Sequence, residues 1–397
     1  MAVKKVKDLK LKLEDLFDFD LAAIDIGFNG SKRMSSLGMF GVIPSTVMPT
    51  NEKFANSFKH TEVDESRLMV KTADGFYHVG EQAMKSNKLL VTSRTTNHDR
   101  ASDPSFRVMF ETNLALCVPH EDGEYDVYLT TGLPNEDFDK GIRTRLEEYI
   151  NQSFEVVIYL GYGKKITKKI NIIGYEVLRQ PEGSVTSTQF AFTREGLLTT
   201  TLYRALTAVV DIGHLTTDYA LFSEGVYVEE EGTYGSTLAT AELYKRLKVS
   251  MAIHFDNEFG VAYSPTDDEL DSVVRGEDIE FNGASHKLYH LVEEAAKEIS
   301  AVIANEVITS WGQHANRVKI ILLTGGGAHI FQDFLREEFA KRKVQAFSVV
   351  EDPQMANVYG FYIRAAMNQV KEMEDGSLNF EQVYERFIKD IFESEAA

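Results

Sequence analysis

The stretch LAAIDIGFNGSK at residues 21–32 decides the fold, because TAVVDIGHLTTD at residues 207–218 repeats its pattern. Each copy is an apolar run of strand-forming residues that ends in Asp-Ile-Gly and enters a polar turn. A second apolar run follows each turn, so each copy predicts a strand–turn–strand unit. Two copies of one supersecondary unit in a single chain indicate two similar domains that face each other.

The rest of the chain alternates segments with the period of strands and segments with the period of helices, which indicates an α/β architecture. The clearest helical pattern lies at residues 286–311, where apolar residues recur with the 3.6-residue period. A hairpin is predicted at residues 68–80, with its turn at Asp74-Gly75. Other helices are predicted at residues 105–117, 136–150, 187–205, 331–341, 357–373 and 380–394.

The composition is that of a globular chain and disfavours several classes of protein. The 397 residues include 42 Lys and Arg against 61 Asp and Glu, a formal net charge of −19. Sequence-independent DNA binding needs a basic surface, so the charge disfavours direct DNA binding and leaves room for a basic partner. Cys117 is the single cysteine, which excludes an internal disulfide and indicates a reducing cytoplasm. No apolar run is long enough to predict a membrane span.

The first turn, residues 25–32, can bind an anion together with a cation. Gly27 and Gly30 allow the backbone to approach a ligand closely, and successive amides of such a turn form an anion-binding nest. Lys32 can reach over the hairpin toward a phosphate. Asp25 would repel that phosphate unless a cation lay between them, which implies Mg²⁺ held through water. By itself the pattern also fits an ordinary β-turn with a surface lysine.

The second turn repeats this chemistry from the other half of the chain. Asp211 again ends a strand and could share the same cation, while the hydroxyls of Thr216 and Thr217 could donate to phosphate oxygens. Two such hairpins would hold a polyphosphate between them. Three glycines at residues 325–327 follow an apolar run and would let the backbone approach a purine or a ribose. That triplet alone fits a simple tight turn equally well.

Other nucleotide-binding and hydrolase motifs are missing from the sequence. There is no G-x-x-x-x-G-K-[ST] loop and no G-x-G-x-x-G after a strand, which argues against Walker-type and Rossmann sites. H-E-x-x-H and G-x-S-x-G are also missing. The two Asp-Ile-Gly turns therefore carry the functional hypothesis.

The three motifs, in this order, resemble those of the actin, heat-shock chaperone and sugar-kinase ATPase superfamily. Residues 25–32 resemble its first phosphate loop, and residues 324–328 resemble its adenosine motif. Residues 211–218 resemble the second phosphate loop, D-x-G-G-G-T-x-D/E, with His214 and Leu215 in place of two glycines. The resemblance implies an α/β, actin-like ATPase fold, in which two duplicated RNase H-like domains surround a nucleotide cleft.

The resemblance also implies how the chain is divided. Residues 1–20 would form an N-terminal extension, and residues 21–200 a first domain that the C-terminal helices of residues 355–397 complete. Residues 201–354 would form the second domain.

Within the superfamily, shorter segments resemble the bacterial plasmid-segregation actins, the ParM group and its Alp-type relatives. These segments are Ile43-Pro44-Ser45, Thr131-Gly132-Leu133-Pro134, VLRQPEG at residues 177–183 and DPQMANVYGFY at residues 352–362. The resemblance implies a cytoplasmic ATPase that assembles into filaments of its own copies. It would move plasmid DNA through a small DNA-binding adaptor, so that contact with DNA is indirect.

Residue roles follow from the same resemblance. Asp25 and Asp211 would position Mg²⁺, Lys32 would contact the β- and γ-phosphates, and Glu182 would orient the attacking water. The other residues expected to contact ATP or ADP are Gly27, Asn29, Gly30, Ser31, Gly213, Thr216, Thr217, Glu242, Lys245, Gly325, Gly326 and Gly327.

Two alternative functions remain open from the sequence. A small-molecule kinase on the same fold would need an acceptor-activating aspartate in the cleft, and Asp99, Asp103 and Asp126 are candidates that nothing distinguishes. A membrane-associated cytoskeletal actin would use residues 1–16, where basic and apolar residues mix, as a surface anchor.

Overall fold

The structure is a computed structural model that describes residues 17–57, 60–85, 91–92, 100–139, 141–228, 234–344, 346–372 and 376–392. Within these residues the chain forms two main β-sheets with helices packed against them. The surface anchor considered at residues 1–16 lies outside the described residues. The division into an extension and two domains stays a prediction.

Strands β1 to β10 form the first sheet. They are β1 (Asp20–Ile26), β2 (Gly30–Ser35), β3 (Phe40–Pro44), β4 (Thr46–Pro49), β5 (Leu68–Thr72), β6 (Gly75–Val79), β7 (Val91–Thr92), β8 (Gly123–Leu133), β9 (Ser153–Tyr159) and β10 (Lys165–Arg179). Their order across the sheet is β3-β2-β1-β8-β10-β9-β5-β6-β4-β7. The predicted hairpin at residues 68–80 is confirmed as β5 and β6, where Gly75 has a φ of 122° that suits a tight turn.

The remaining strands belong to a second sheet and two separate hairpins. One hairpin is β11 (Phe190–Thr193) with β12 (Gly196–Thr199), and the other is β17 (Ile279–Phe281) with β18 (Ala284–His286). The second sheet contains β13 (Thr207–Ile212), β14 (Thr217–Ser223), β15 (Val226–Tyr227), β16 (Tyr234–Ser236), β19 (Ile320–Thr324) and β20 (Phe347–Val349).

The two sheets share one arrangement at their centres. In the first, β1 pairs antiparallel with β2 and parallel with β8, and β8 pairs parallel with β10. In the second, β13 pairs antiparallel with β14 and parallel with β19, and β19 pairs parallel with β20. The sequence repeat therefore corresponds to the same hairpin, β1–β2 and β13–β14, placed alike in each sheet. The parallel pairing explains why β1 and β13 are apolar and buried along almost their whole length.

Helices cover both sheets. They are α1 (Glu81–Met84), α2 (Pro104–Leu116), α3 (Asn135–Asp139), α4 (Ile142–Ile150), α5 (Gln180–Gln189), α6 (Thr240–Phe259), α7 (Asp267–Val274), α8 (Tyr289–Trp311), α9 (Ala328–Lys341), α10 (Ala356–Met367), α11 (Phe380–Val383) and α12 (Lys389–Phe392). The long helix expected at residues 286–311 is confirmed as α8. Among the described residues, no helix combines the length and the apolar character needed to cross a bilayer.

Local sequence explains where several helices begin and end. Asp103 precedes α2, and its side chain accepts a hydrogen bond from the Ser105 backbone N–H at 2.9 Å, while Pro104 stands at the first helical position. Gly141, with a φ of 74°, separates α3 from α4, so the single helix expected at residues 136–150 is two helices. Gly260 ends α6 in the left-handed conformation.

The core lies on both faces of the sheets. Helices α2 and α4 pack on one face of the first sheet, with Phe110 and Leu146 fully buried there. Helix α10 covers the opposite face of β1, where Phe361 packs with Ala23. Helices α6, α8 and α9 bury one face of the second sheet around Ile303.

The helix expected at residues 187–205 is wrong. Helix α5 already ends at Gln189, and the β11–β12 hairpin follows it. Phe190 and Phe192 suit a strand, and the Thr193 hydroxyl donates to the Gly196 carbonyl at 2.6 Å to close the turn. The turn that ends at Gly196 therefore forms a hairpin where the spacing of apolar residues predicts a helix.

Candidate functional site

The two hairpins and the glycine triplet line one cleft of about 450 Å³. The cleft lies where the carboxyl ends of β1, β13 and β19 meet, which is where α/β folds usually place their ligands. The structure brings together most of the residues that the sequence singled out. Those that line the cleft are Asp25, Gly27, Asn29, Gly30, Lys32, Asp211, Gly213, Thr216, Gly325, Gly326 and Gly327.

In the first hairpin, Asp25 is buried and held from two sides. Its β1 position pairs with Lys32 of β2, and the Lys32 ammonium lies 3.0 Å from Asp25 Oδ2. The Gln180 side-chain N–H donates to Asp25 Oδ1 at 2.6 Å. The carboxylate is therefore fixed in orientation beside a cation at the mouth of the turn.

In the second hairpin, Asp211 pairs in register with Asp218, so two carboxylates occupy the positions that Asp25 and Lys32 hold in the first. The Asn357 side-chain N–H donates to Asp211 Oδ2 at 2.6 Å, and the Asn135 backbone N–H donates to Asp218 Oδ1 at 3.0 Å. Burial raises the pKa of Asp211, and burial together with the Asp211 charge raises the pKa of Asp218 to about 7.

The second turn closes without the two glycines of the family pattern. The Gly213 N–H donates to the Thr216 carbonyl at 2.9 Å, and neither His214 nor Leu215 has a positive φ. The turn therefore accepts side chains at both positions. His214 Nδ1 lies 3.2 Å from the Thr240 hydroxyl, which ties the turn to the first residue of α6.

Glycines make room at the cleft in a way that no larger residue could. A Cβ on Gly27 would lie 2.8 Å from the Gly30 carbonyl oxygen and 3.0 Å from the Lys32 ammonium. Gly325 has a φ of 85°, and a Cβ there would lie 2.3 Å from Asp211 Oδ1. A lysine, buried carboxylates and exposed turn backbone form a donor set that fits a polyphosphate with a divalent cation.

The side chains of Ser31 and Thr217 face away from the cleft, and the predicted contact of these two residues with nucleotide stays a prediction. The Ser31 hydroxyl is buried and accepts a hydrogen bond from the Asn113 side-chain N–H at 2.9 Å. The Thr217 hydroxyl donates to the Leu238 carbonyl at 2.5 Å. Each precedes a cleft-lining residue of its own strand, Lys32 in β2 and Asp218 in β14, and successive side chains in a strand point to opposite faces.

Glu182 also lies outside the cleft lining formed by the described residues. It is in the first turn of α5, and its carboxylate accepts a hydrogen bond from the Arg179 backbone N–H at 2.7 Å. Burial raises its pKa. This contact is that of a residue that stabilises the start of a helix, and the catalytic role expected for Glu182 stays a prediction.

Glu242 and Lys245 lie on the first turns of α6, outside that lining. Glu242 makes an ion pair with Arg246 at 3.0 Å, and this contact lowers its pKa. Lys245 is exposed and 3.6 Å from Glu242. In this structure both side chains are engaged along the helix, and their predicted contact with ribose is untested.

Two amides that were not predicted from the sequence reach the cleft in the fold. Gln180 begins α5 and contacts Asp25, whereas Asn357 lies in the first turn of α10 and contacts Asp211. Both lie in segments that resemble plasmid-segregation actins, at residues 177–183 and 352–362. That resemblance was the signal in the sequence that could have identified them, but it implied a catalytic role for Glu182 and none for Gln180.

A buried polar network joins the two halves behind the cleft. The Ser184 hydroxyl of α5 donates to Asn357 Oδ1 at 2.6 Å and lies 2.9 Å from the Thr324 hydroxyl of β19. Helices α5 and α10 touch through their backbones, because a Cβ on Gly360 would lie 1.7 Å from the Gly183 carbonyl oxygen. These contacts couple the first sheet, the second sheet and α10 at one crossing.

Two of the aspartates considered for a kinase, Asp103 and Asp126, do not line the cleft. Asp103 caps α2 through its hydrogen bonds to Ser105, and Asp126 is exposed and accepts a hydrogen bond from Asn171 at 2.9 Å. Asp99 lies outside the described residues.

Two family models match the chain, one in each half. Residues 23–183 match the model of the N-terminal domain of actin-like proteins. Residues 209–337 match the model of the C-terminal domain of the archaeal MreB-like actin homologues. A comparison with curated proteins gave no match.

Solved structures with the same fold include three bacterial actin-like proteins. Actin-like protein Alp7A is 18% identical, with a TM-score of 0.67 over 95% of this chain and 99% of its own. A 15-stranded ParM filament from Clostridium botulinum is 18% identical, with a TM-score of 0.67 over 88% and 99%. ParM of Bacillus thuringiensis, solved with ATP, is 14% identical, with a TM-score of 0.63 over 89% and 100%. At these identities the likeness establishes the fold, and the chain has the actin-like fold.

Proposed function

Because the chain has the actin-like fold, we propose that it binds ATP with Mg²⁺ in the cleft and hydrolyses the nucleotide to ADP and phosphate. The observation that carries this proposal is the convergence of residues 25–32, 211–218 and 325–327 on one cleft. The ATP in the structure of Bacillus thuringiensis ParM supports the choice of nucleotide.

The charged residues of the two hairpins take complementary roles in this proposal. Lys32 neutralises negative charge on the β- and γ-phosphates, and the turn amides beside Gly27 and Gly213 donate to phosphate oxygens. Asp25 and Asp211 would hold the cation, with water between. Bound Mg²⁺ would offset the charge of the phosphates and of the buried carboxylates. Burial raises the pKa of Asp211, so its charged form is disfavoured in the protein alone and would gain from a nearby cation.

In this proposal, Gln180 would orient the water that attacks the terminal phosphate. One N–H of its side-chain amide donates to Asp25, and its amide oxygen can accept a hydrogen bond from water. Phosphoryl transfer depends on positioning and charge neutralisation, so an oriented amide suffices for this role. Glu182, which the family resemblance suggested for it, is held by the Arg179 backbone instead.

Nucleotide binding in this cleft would control the angle between the two halves. Asp25 and Gln180 belong to the first half, Asp211 belongs to the second, and Asn357 joins Asp211 to Ser184 of α5. A γ-phosphate that contacts both hairpins favours the closed arrangement, and hydrolysis releases it. Such a two-state element can couple ATP hydrolysis to contacts between subunits.

We propose that those contacts build a filament of identical subunits. The ParM filament of Clostridium botulinum, which has the same fold, supports this step. A head-to-tail contact that does not close into a ring produces an open filament. In this proposal the filament segregates plasmid DNA. A small basic adaptor would link the filament to the DNA, because a chain with a net charge of −19 is poorly suited to bind DNA itself.

The test combines light scattering, electron microscopy and phosphate release on the full chain with ATP and Mg²⁺. We expect filaments and phosphate release without any added acceptor, and less of both with Asp211→Ala at the same concentration of ATP. Wild-type protein that stays monomeric at tens of micromolar would contradict the filament. ADP formation only in the presence of a small-molecule acceptor would favour the kinase alternative.

A further inference from the structure

Two histidines and a glutamate form a cluster away from the nucleotide cleft. His254 and Glu258 lie one turn apart on α6, and His286 is the last residue of β18. One nitrogen from each ring and one carboxylate oxygen all lie within 4.8 Å of one another. None of the three lines the cleft. We propose that this cluster is a binding site for a transition-metal ion, with Zn²⁺ as the expected ion.

The spacing along α6 suits a metal site. Residues four apart on a helix project from the same face, so His254 and Glu258 can bind one ion without a change in the backbone. His254 Nε2 and Glu258 Oε2 already lie 2.8 Å apart. Their side chains are 29% and 48% exposed, so an ion can reach them from solvent.

His286 supplies an observation that the α6 pair does not explain. Its Nε2 is buried and, among the described residues, has no hydrogen-bond partner. Its ring packs against the side chains of Phe255 and Phe259, with centroid distances of 5.2 and 5.3 Å. A buried ring nitrogen without a partner costs free energy, and coordination of an ion would remove that cost.

The donor set selects the class of ion. Two imidazole nitrogens and one carboxylate oxygen are typical ligands of Zn²⁺, whereas Mg²⁺ and Ca²⁺ prefer oxygen donors only. Three protein ligands leave a fourth tetrahedral position for water.

A bound ion would link two elements that are far apart in the chain. It would join the last turns of α6 to the β17–β18 hairpin, which is a separate two-stranded sheet in the structure. Two-stranded hairpins are marginally stable alone, so a link to a long helix would reduce their local opening. The site is independent of the proposed ATPase, because no residue of the cleft takes part in it.

The test is Zn²⁺ binding to the metal-free full chain, measured by calorimetry with Mg²⁺ in excess so that the cleft does not compete. We expect one Zn²⁺ per chain, and binding weaker by about tenfold or more in His254→Gln and His286→Gln. His120→Gln removes an exposed histidine elsewhere and should leave binding unchanged. Zn²⁺ should also raise the melting temperature of the wild type but not of the two cluster variants.

His254→Gln keeps the test decisive if His286→Gln disturbs packing, because His254 is partly exposed. Circular dichroism without metal should show this variant folded like the wild type. The proposal is overturned if the wild type binds no stoichiometric Zn²⁺. It is equally overturned if folded His254→Gln binds the ion as tightly as the wild type, because His254 and Glu258 would then be an ordinary helical ion pair.

Discussion

Gln180 donates a hydrogen bond of 2.6 Å to Asp25, a residue 155 positions earlier in the chain. The contact places an amide from the first turn of α5 against the strand-end carboxylate of the first hairpin. Glu182 lies in the same helical turn as Gln180, but it contacts the Arg179 backbone rather than Asp25. Two neighbouring residues with different contacts allow their roles in hydrolysis to be tested against each other.

We expect Gln180→Ala to slow ATP hydrolysis by about tenfold to a hundredfold while nucleotide binding changes little. The physical reason is that the variant removes the amide oxygen that would orient the attacking water. Single-turnover phosphate release and calorimetric titration of ATP in the presence of Mg²⁺ separate the two steps.

Glu182→Ala is the matched variant for that prediction. Loss of its contact at the start of α5 should lower the free energy of unfolding by about 0.5–2 kcal/mol and slow hydrolysis less than Gln180→Ala does. If Glu182→Ala abolishes hydrolysis in folded protein while Gln180→Ala leaves it intact, the water-orienting role belongs to Glu182.

Asp211→Ala should weaken binding of ATP with Mg²⁺ by about tenfold or more, because the buried carboxylate would no longer help to hold the cation. Titration of ATP with and without Mg²⁺ measures the change, and the effect should be largest with the ion. Asp268→Ala removes an exposed carboxylate of α7 and serves as the control. Equal binding by the wild type and Asp211→Ala would remove the second hairpin from the nucleotide site.

Two adjacent glycines of the cleft should respond very differently to alanine. Gly325 has a φ of 85° and a Cβ there would lie 2.3 Å from Asp211 Oδ1, whereas a Cβ on Gly326 would meet no atom within 4 Å. We expect Gly325→Ala to lower the free energy of unfolding by about 1–3 kcal/mol and Gly326→Ala by less than about 0.5 kcal/mol. Urea unfolding without nucleotide measures both, and similar values would show that the turn is not constrained as described.

Asp218 should make the nucleotide-free protein less stable as the pH rises. Burial, and then the charge of Asp211, raise its pKa to about 7, whereas an unfolded chain has the ordinary value of about 4. Between these values the folded state holds a proton that the unfolded state has lost. The free energy of unfolding therefore falls with pH across this window, and the contribution is fully present only below it.

Asp218→Asn removes this titration without changing the shape of the side chain. The free energy of unfolding of the variant, taken relative to that of the wild type, should rise by on the order of 2 kcal/mol between about pH 5 and pH 8. Urea unfolding at several pH values, without nucleotide or Mg²⁺, measures the difference. A difference that stays constant with pH would show that Asp218 keeps an ordinary pKa in the folded chain.

The sequence by itself determined the duplicated hairpins and the α/β class. The strand period, the turn residues and the helical period are local signals, and each can be recognised within about a dozen residues of sequence. The repeat at residues 21–32 and 207–218 also fixed where Asp25 and Asp211 would stand, because an Asp at a strand end occupies the same place in two copies of one unit. The alternation of side chains along a strand also predicts that the side chains of Ser31 and Thr217 point away from those of Lys32 and Asp218.

Only the tertiary structure decided which residues complete the cleft. Gln180 and Asn357 reach Asp25 and Asp211 because α5 and α10 cross backbone to backbone at Gly183 and Gly360. The strand and helix periods of the sequence do not predict that crossing, because it depends on how the two sheets pack. Gln180 and Glu182 make different contacts for the same reason. A helix fixes their spacing, but the elements packed around the helix decide what each side chain contacts.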